Sequence, residues 1–179
     1  MRTATFTRTT KETDIRLTVC LDGSGKTELN TGVGFFDHML DALSRFAQFD
    51  LTLTCVGDLQ VDAHHTVEDV GICLGKAMRE ALGDRVGIRR VGSAYMPMDE
   101  ALAFAAIDIS GRPYLAWNAE FTAPMCGTMD TQLAEEFFRA VTVNAGLTVH
   151  MNLLAGRNDH HKLEACSRPS VWRCGMPCA

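Results

Sequence analysis

The sequence lacks the long apolar runs that mark a membrane protein. No run reaches the roughly 18 residues that a membrane-spanning helix needs, and residues 1–17 contain no apolar segment typical of a secretory signal. Positive charge is not in excess, since 17 Lys and Arg stand against 22 Asp and Glu for a net charge of −5. We therefore expect a cytoplasmic protein that binds neither membranes nor nucleic acid.

Paired cysteine motifs are also lacking. The seven cysteines are an odd number and include no CxxC pair, which gives no support for a disulfide framework. We expect four of them to be reduced thiols in or near the core, namely Cys20, Cys55, Cys73 and Cys126. The HExxH helix of zinc proteases, the GxSxG motif and the phosphate-binding P-loop are likewise missing from the sequence.

The pattern of apolar residues is present twice. In the first half, residues 3–9, 14–22 and 50–58 alternate like strands, and residues 35–47 and 64–84 have helical spacing. In the second half, residues 93–110, 112–121 and 146–156 resemble strands, residues 128–145 a helix, and HHKLEA begins another helix. We predict an α+β fold of two half-domains, residues 1–90 and 91–165. Each is a mainly antiparallel sheet with two helices packed on one face.

Histidine pairs mark the same position in both halves. Each pair is followed by a glutamate three residues after its second histidine: His64-His65 with Glu68, and His160-His161 with Glu164. If a helix begins near the first histidine, the second histidine and the glutamate share a face, and the first can point elsewhere. Imidazole and carboxylate ligands suit Mn²⁺, Fe²⁺ or Zn²⁺, and mixed ligands in octahedral geometry favour manganese.

Other candidate residues stand apart from these pairs. His38 begins the first predicted helix and is either a ligand or a capping or core histidine. Arg90 and Arg112 lie near strand ends, where they could hold an anion or form surface ion pairs. Glu12 lies between two strand-like stretches, and by itself it indicates only an exposed acid.

The chain resembles the imidazoleglycerol-phosphate dehydratase family over residues 1 to about 165. The matching strings are RTTKETDI, TGVGFFDHMLDAL, DAHHTVEDVGICLG, VGSAYMPMDEAL, SGRPYL, EEFFRA, NAGLTVH and AGRNDHHKLEA. The resemblance implies a lyase of histidine biosynthesis that dehydrates D-erythro-imidazole glycerol phosphate to imidazole acetol phosphate. It also implies two Mn²⁺ ions per active site. Its active sites would lie between the subunits of a large homo-oligomeric shell, a 24-mer in the family.

The resemblance also implies roles for individual residues. One metal site would consist of His38, His65, His160 and Glu164, and the other of His64, Glu68, His161 and Glu136. The histidines of both sites and Glu68 would face the small phosphorylated imidazole substrate. Arg90 and Arg112 would contact its phosphate, and Glu12 would bind the substrate and transfer protons. The family often has histidine at the position of Glu136, and usually at that of Phe46.

The resemblance ends at Ala165, and residues 166–179 read CSRPSVWRCGMPCA. A family member would continue with an amphipathic helix and a Ser/Thr-Lys-Gly phosphate loop. One coding of this tail, read two bases further on, gives FKAFGVALRHALR, which resembles that helix. We therefore hypothesise a shifted reading frame near codon 166. Because Pro169 cannot continue a helix, we expect the last helix to end near Cys166 or Ser167 and later residues to be irregular.

This tail leaves alternative functions open. Without the last helix and the phosphate loop, the chain would be poorly soluble and nearly inactive. The first alternative is therefore an inactive or assembly-defective metal-binding remnant of the dehydratase. A zinc hydrolase is the other alternative, and the absence of HExxH disfavours it.

Overall fold

The chain forms two four-stranded sheets with four helices between them in a computed structural model that describes residues 1–169. The first half contains β1 (Thr3–Thr9), β2 (Thr13–Cys20), β3 (Thr27–Asn30), α1 (Gly34–Ala47), β4 (Asp50–Gly57) and α2 (His64–Leu82). The second half contains β5 (Val91–Met98), β6 (Ala101–Asp108), β7 (Tyr114–Asn118), β8 (Met125–Cys126), β9 (Met129–Asp130), α3 (Leu133–Ala145), β10 (Thr148–Ala155) and α4 (Asp159–Ser167).

The two sheets have the same topology. Their strand orders are β1-β2-β4-β3 and β5-β6-β10-β7. In each sheet the last two strands are parallel and the other neighbours are antiparallel. Helices α1 and α2 pack on the first sheet, and α3 and α4 on the second. The predicted fold class, a duplicated half-domain with a mainly antiparallel sheet and two helices, is confirmed.

Two predicted boundaries were wrong for local reasons. Residues 93–110 form two strands, because the chain turns at Asp99, whose φ of 49° is left-handed. The third helix begins at Leu133 rather than Thr128, because Met125 and Asp130 pair in the β8–β9 hairpin just before it. The last helix ends at Ser167, as expected from Pro169. The expectation for later residues falls mainly on residues 170–179, outside the described part.

The core lies between each sheet and its helices. Alternate residues of the central strands are buried, for example Leu17 of β2 and Leu53 of β4, whereas their neighbours face outward. All five cysteines within residues 1–169 are free. Cys20 is half-buried and the other four are buried. Burial raises the pKa of the Cys55 and Cys73 thiols to about 11, so both stay protonated at neutral pH.

Helices α2 and α3 join the two halves at a close contact. A Cβ on Gly71 would lie 2.9 Å from the carbonyl oxygen of Phe137, and one on Gly75 would lie 2.7 Å from that of Val141. Both distances are shorter than carbon–oxygen contact allows, and backbone atoms cannot rotate away as side chains can. The two glycines of α2 therefore allow α3 to pack directly against its backbone.

We expect Gly75→Ala to lower the free energy of unfolding by roughly 1–3 kcal/mol, because the added methyl group forces α2 and α3 apart. Urea unfolding followed by circular dichroism measures the change. Gly34→Ala on α1 is the matched control, since nothing lies within 4 Å of its added Cβ. Equal losses of stability in both variants would contradict the close-contact explanation.

Candidate active site

A buried ion pair holds the start of α4 in place. Lys162 Nζ lies 2.7 Å from Asp159 Oδ1, and the two side chains are 8% and 4% exposed. Asp159 also accepts hydrogen bonds from the backbone amides of Thr122 and Ala123. Burial opposes ionisation of Asp159, but the hydrogen bonds from Lys162 and Ala123 outweigh it and lower its pKa to about 2. The turn that carries the second histidine pair is therefore fixed to the loop at 122–123.

Three candidate ligands meet where α1 contacts α4. His38 of α1, His160 and Glu164 each offer a ligand atom within 4.8 Å of the other two. His38 Nε2 lies 3.5 Å from Glu164 Oε1, and His160 Nε2 lies 3.5 Å from Glu164 Oε2. The carboxylate is 4% exposed, whereas both imidazoles are 48% exposed. Two nitrogens and one oxygen, open to solvent on one side, fit Mn²⁺ with free coordination positions.

The pairing within each HHxxE motif differs from the expectation. The first histidine, not the second, shares a face with the glutamate: His160 pairs with Glu164, and His64 Nε2 lies 3.6 Å from Glu68 Oε2. At 3.6 residues per turn, residues four apart stack more closely than residues three apart. Among residues 1–169, the three-residue cluster does not include His65, which the resemblance had placed in the same metal site.

The second histidine of each pair instead contacts an acid from another segment. His65 Nδ1 lies 2.9 Å from Asp58 Oδ2, and His161 Nδ1 lies 2.8 Å from Glu100 Oε2. A ring held through Nδ1 leaves Nε2 as the ligand atom, as in many metal sites, and His161 Nε2 lies 3.7 Å from Asp99 Oδ2. Asp58 follows β4 and Glu100 lies between β5 and β6. Neither acid is evident from the sequence, because no fixed spacing links them to the histidines.

These contacts change the charge of the groups involved. The hydrogen bond with Asp58 raises the pKa of His65, and that with Glu100 raises the pKa of His161. The pKa of Glu100 is lowered to about 2, first by the Asn158 amide and then by His161. Glu100 therefore stays ionised, and the two contacts favour the protonated form of each imidazole in the metal-free protein.

The second predicted ligand set is only partly assembled within one chain. His64 and Glu136 line a common cavity of about 540 Å³, and Glu68 pairs with His64. Glu136 and His38 are equivalent in the two halves, since each lies ten residues before a left-handed helix C-cap, Gly146 and Gln48 respectively. The fourth member, His161, contacts Glu100 instead. The repeat thus pairs α1 with α4 at one site and α3 with α2 at the other.

Arg90 and Arg112 lie at one end of the second sheet. Arg90 Nε and Nη2 donate to the two carboxylate oxygens of Asp108, at 2.6 and 3.0 Å. Their hydrogen bonds lower the pKa of Asp108, and the charge of Arg112 lowers it further. Both guanidinium groups therefore approach the same carboxylate. Arg90 therefore forms a surface ion pair, which was one of the two roles that the sequence left open. Its side chain remains largely exposed.

Glu12 lies at the turn between β1 and β2, close to the first histidine pair. Its carbonyl oxygen accepts a hydrogen bond from the Asp58 amide at 3.0 Å. Its exposed carboxylate also contributes to the raised pKa of His65. The structure thus brings Glu12, Asp58 and His65 to one end of the first sheet, where β1 turns into β2 and β4 ends.

The fold and site define an α+β protein with imidazole–carboxylate clusters where two repeated halves meet. None of the helices within residues 1–169 is both long and apolar enough to span a membrane. The profile described as imidazoleglycerol-phosphate dehydratase matches residues 31–170. The chain belongs to this family of hydro-lyases of histidine biosynthesis.

Individual relatives agree with the family match. The imidazoleglycerol-phosphate dehydratase of Granulibacter bethesdensis is 59% identical over 92% of this chain and 84% of its own length. That of Acidiphilium cryptum is 59% identical over 95% of this chain and 87% of its own. The crystal structure of the Staphylococcus aureus enzyme superposes with a TM-score of 0.89 at 37% identity, covering 99% of both chains.

We expect Asp58→Asn to lower the pKa of His65 in the metal-free protein, because it removes the negative charge that favours the protonated ring. Imidazole NMR signals followed through a pH titration measure this change. Glu100→Gln is the matched variant and should lower the pKa of His161 alone. A variant that shifts both histidines equally would contradict the separate pairing of each imidazole with its own acid.

Proposed function

We propose that this chain dehydrates D-erythro-imidazole glycerol phosphate to imidazole acetol phosphate with two Mn²⁺ ions per active site. The cluster of His38, His160 and Glu164 is the observation that carries the metal proposal. In it, a buried carboxylate provides negative charge, and two half-exposed imidazoles leave room for a substrate. Family membership supports the reaction itself.

The donor atoms of the chain fit the chemistry that the reaction needs. When bound, Mn²⁺ supplies Lewis-acid polarisation of the substrate's imidazole ring. His38, His160 and Glu164 would hold one ion. His64, Glu68 and Glu136 would hold the other. His65 would complete the first set and His161 the second. Asp58 and Glu100 hold these two histidines through Nδ1, so that Nε2 is the atom that would bind the metal.

Glu12 is the proposed acid–base residue. The reaction removes a proton from the middle carbon of the side chain, and the hydroxyl group on the carbon beside the ring leaves as water once it is protonated. The resulting enol becomes the ketone of the product. Glu12 is exposed and close to His65, so its carboxylate can accept the carbon-bound proton and return a proton to the leaving hydroxyl group.

We also propose that the working enzyme is a homo-oligomer, as in the 24-mer of the family. The cluster of three donors in one chain lacks His65, so a second copy can complete it. This arrangement needs no nucleic-acid or membrane partner. Its biosynthetic role fits a cytoplasmic location.

We expect turnover to stop when the chain is treated with a chelator and to return with Mn²⁺. Glu164→Gln should lower turnover and bound manganese by more than about a hundredfold, because it removes the buried ligand charge. His150→Ala on β10 is the control and should keep both. Full turnover after thorough chelation would refute the metal mechanism.

The same assay tests the inactive remnant. The comparison is with a chain that carries FKAFGVALRHALR in place of residues 166–179. The remnant alternative is supported if the unaltered chain binds manganese without turnover and the altered chain is active. Turnover by the unaltered chain would exclude it.

We expect Arg112→Ala and Arg90→Ala each to raise KM for the substrate about ten- to a hundredfold, because each removes a charge-assisted contact with phosphate. Steady-state kinetics measure KM. Arg45→Ala is the control, since this arginine pairs with Asp41 on the exposed side of α1. An unchanged KM in both test variants would remove the two arginines from the phosphate site.

A further inference from the structure

Glu164 already has a cationic partner in the structure. Arg168, one helical turn further along, donates from Nη2 to Glu164 Oε1, the same oxygen that His38 approaches. The Arg168 side chain is 23% exposed and the Glu164 side chain 4% exposed. A buried carboxylate needs a compensating charge, and arginine is always protonated. The metal-free cluster therefore contains a permanent cation.

The guanidinium group is also held by its surroundings. Arg168 Nη1 lies 3.0 Å from Met98 Sδ, and Arg168 Cζ lies 5.0 Å from the centre of the Phe46 ring. Contact with a sulfur and an aromatic face is favourable for a guanidinium group. These contacts come from β5 and α1, on two sides of α4. Arg168 is thus directed towards Glu164 by packing as well as by charge.

A divalent cation bound by the three donor atoms would share Glu164 with Arg168. It would need the lone pairs of a carboxylate oxygen that already accepts from Arg168, and it would lie close to a second positive charge. Both effects lower the affinity of the cluster for metal. Removing the guanidinium group would relieve them, and would also leave Glu164 without compensation until a metal binds.

We propose that Arg168 is the counter-ion of Glu164 in the metal-free chain and competes with the divalent cation for that carboxylate. Metal binding then requires Arg168 to release Oε1, and Arg168 sets the metal affinity of the cluster. This inference rests on the metal site of the proposed function, to which it adds a residue that opposes loading.

The test is Mn²⁺ binding to the purified full chain after removal of metal, measured by isothermal titration and by the EPR signal of free Mn²⁺. Arg168→Met keeps a long, unbranched side chain at this position and removes the guanidinium group that lies over Phe46. We expect it to bind Mn²⁺ about tenfold more tightly than the unaltered chain, which is the effect of losing one charged hydrogen bond. Arg45→Met, which breaks an exposed Arg–Asp pair four residues apart on α1, should leave the affinity unchanged.

Thermal unfolding gives a second readout. Without metal, Arg168→Met should melt below the unaltered chain, and added Mn²⁺ should raise its melting temperature by more than that of the unaltered chain. A variant that folds only with Mn²⁺ would be the same result in a stronger form. Loss of the fold that Mn²⁺ does not restore, in both Arg168→Met and Arg168→Gln, would contradict the proposal.

A double variant separates this inference from the proposed function. In a Glu164→Gln background, Arg168→Met should no longer change Mn²⁺ affinity, because the shared carboxylate is gone. Unchanged or weaker binding by Arg168→Met alone would overturn the competition. If the unaltered chain and Glu164→Gln bound Mn²⁺ equally, the metal site of the proposed function would fail instead.

Discussion

The close contact of α2 with α3 is the constraint on which the rest of the structure depends. Gly71 and Gly75 have no side chain, so the backbone of α3 packs directly against that of α2. This contact joins the two halves. The four helices fill the space between the sheets, so the spacing of this pair also determines where α1 meets α4. His38 comes from one half and Glu164 from the other. Their ligand atoms lie within 4.8 Å of each other, so the packing of the two halves brings this cluster together.

The two halves repeat one arrangement but differ in burial. In each, the first histidine of a pair stacks on the glutamate one turn later, and an acid from another segment holds the second histidine. Glu68 is 43% exposed, whereas Glu164 is 4% exposed. Water can solvate the first carboxylate, but the second depends on protein groups or a bound cation. The repeat therefore contains two chemically unequal sites.

The different environment of Glu164 is related to the early end of the last helix, α4. Helix α2 has 19 residues, whereas α4 has nine. Pro169 follows its C-cap residue, Arg168, and cannot extend the helix. A cation at a helix C-terminus is favoured by the helix dipole, and here the same guanidinium group also compensates Glu164. The residue that caps α4 thus also belongs to the electrostatics of the candidate site.

The sequence by itself determined the duplicated α+β fold and the HHxxE motifs, because alternation and helical spacing are local properties of the chain. It could not determine which histidine of each pair faces its glutamate. That depends on the residue at which the helix begins and on the direction of the helix axis. Asp58, Glu100 and Arg168 were also beyond its reach. The first two come from turns remote in sequence, and the role of Arg168 arises because Glu164 is buried. Only the tertiary structure decided these contacts, because the packing of α1 against α4 sets which charges lie together and which are shielded from water.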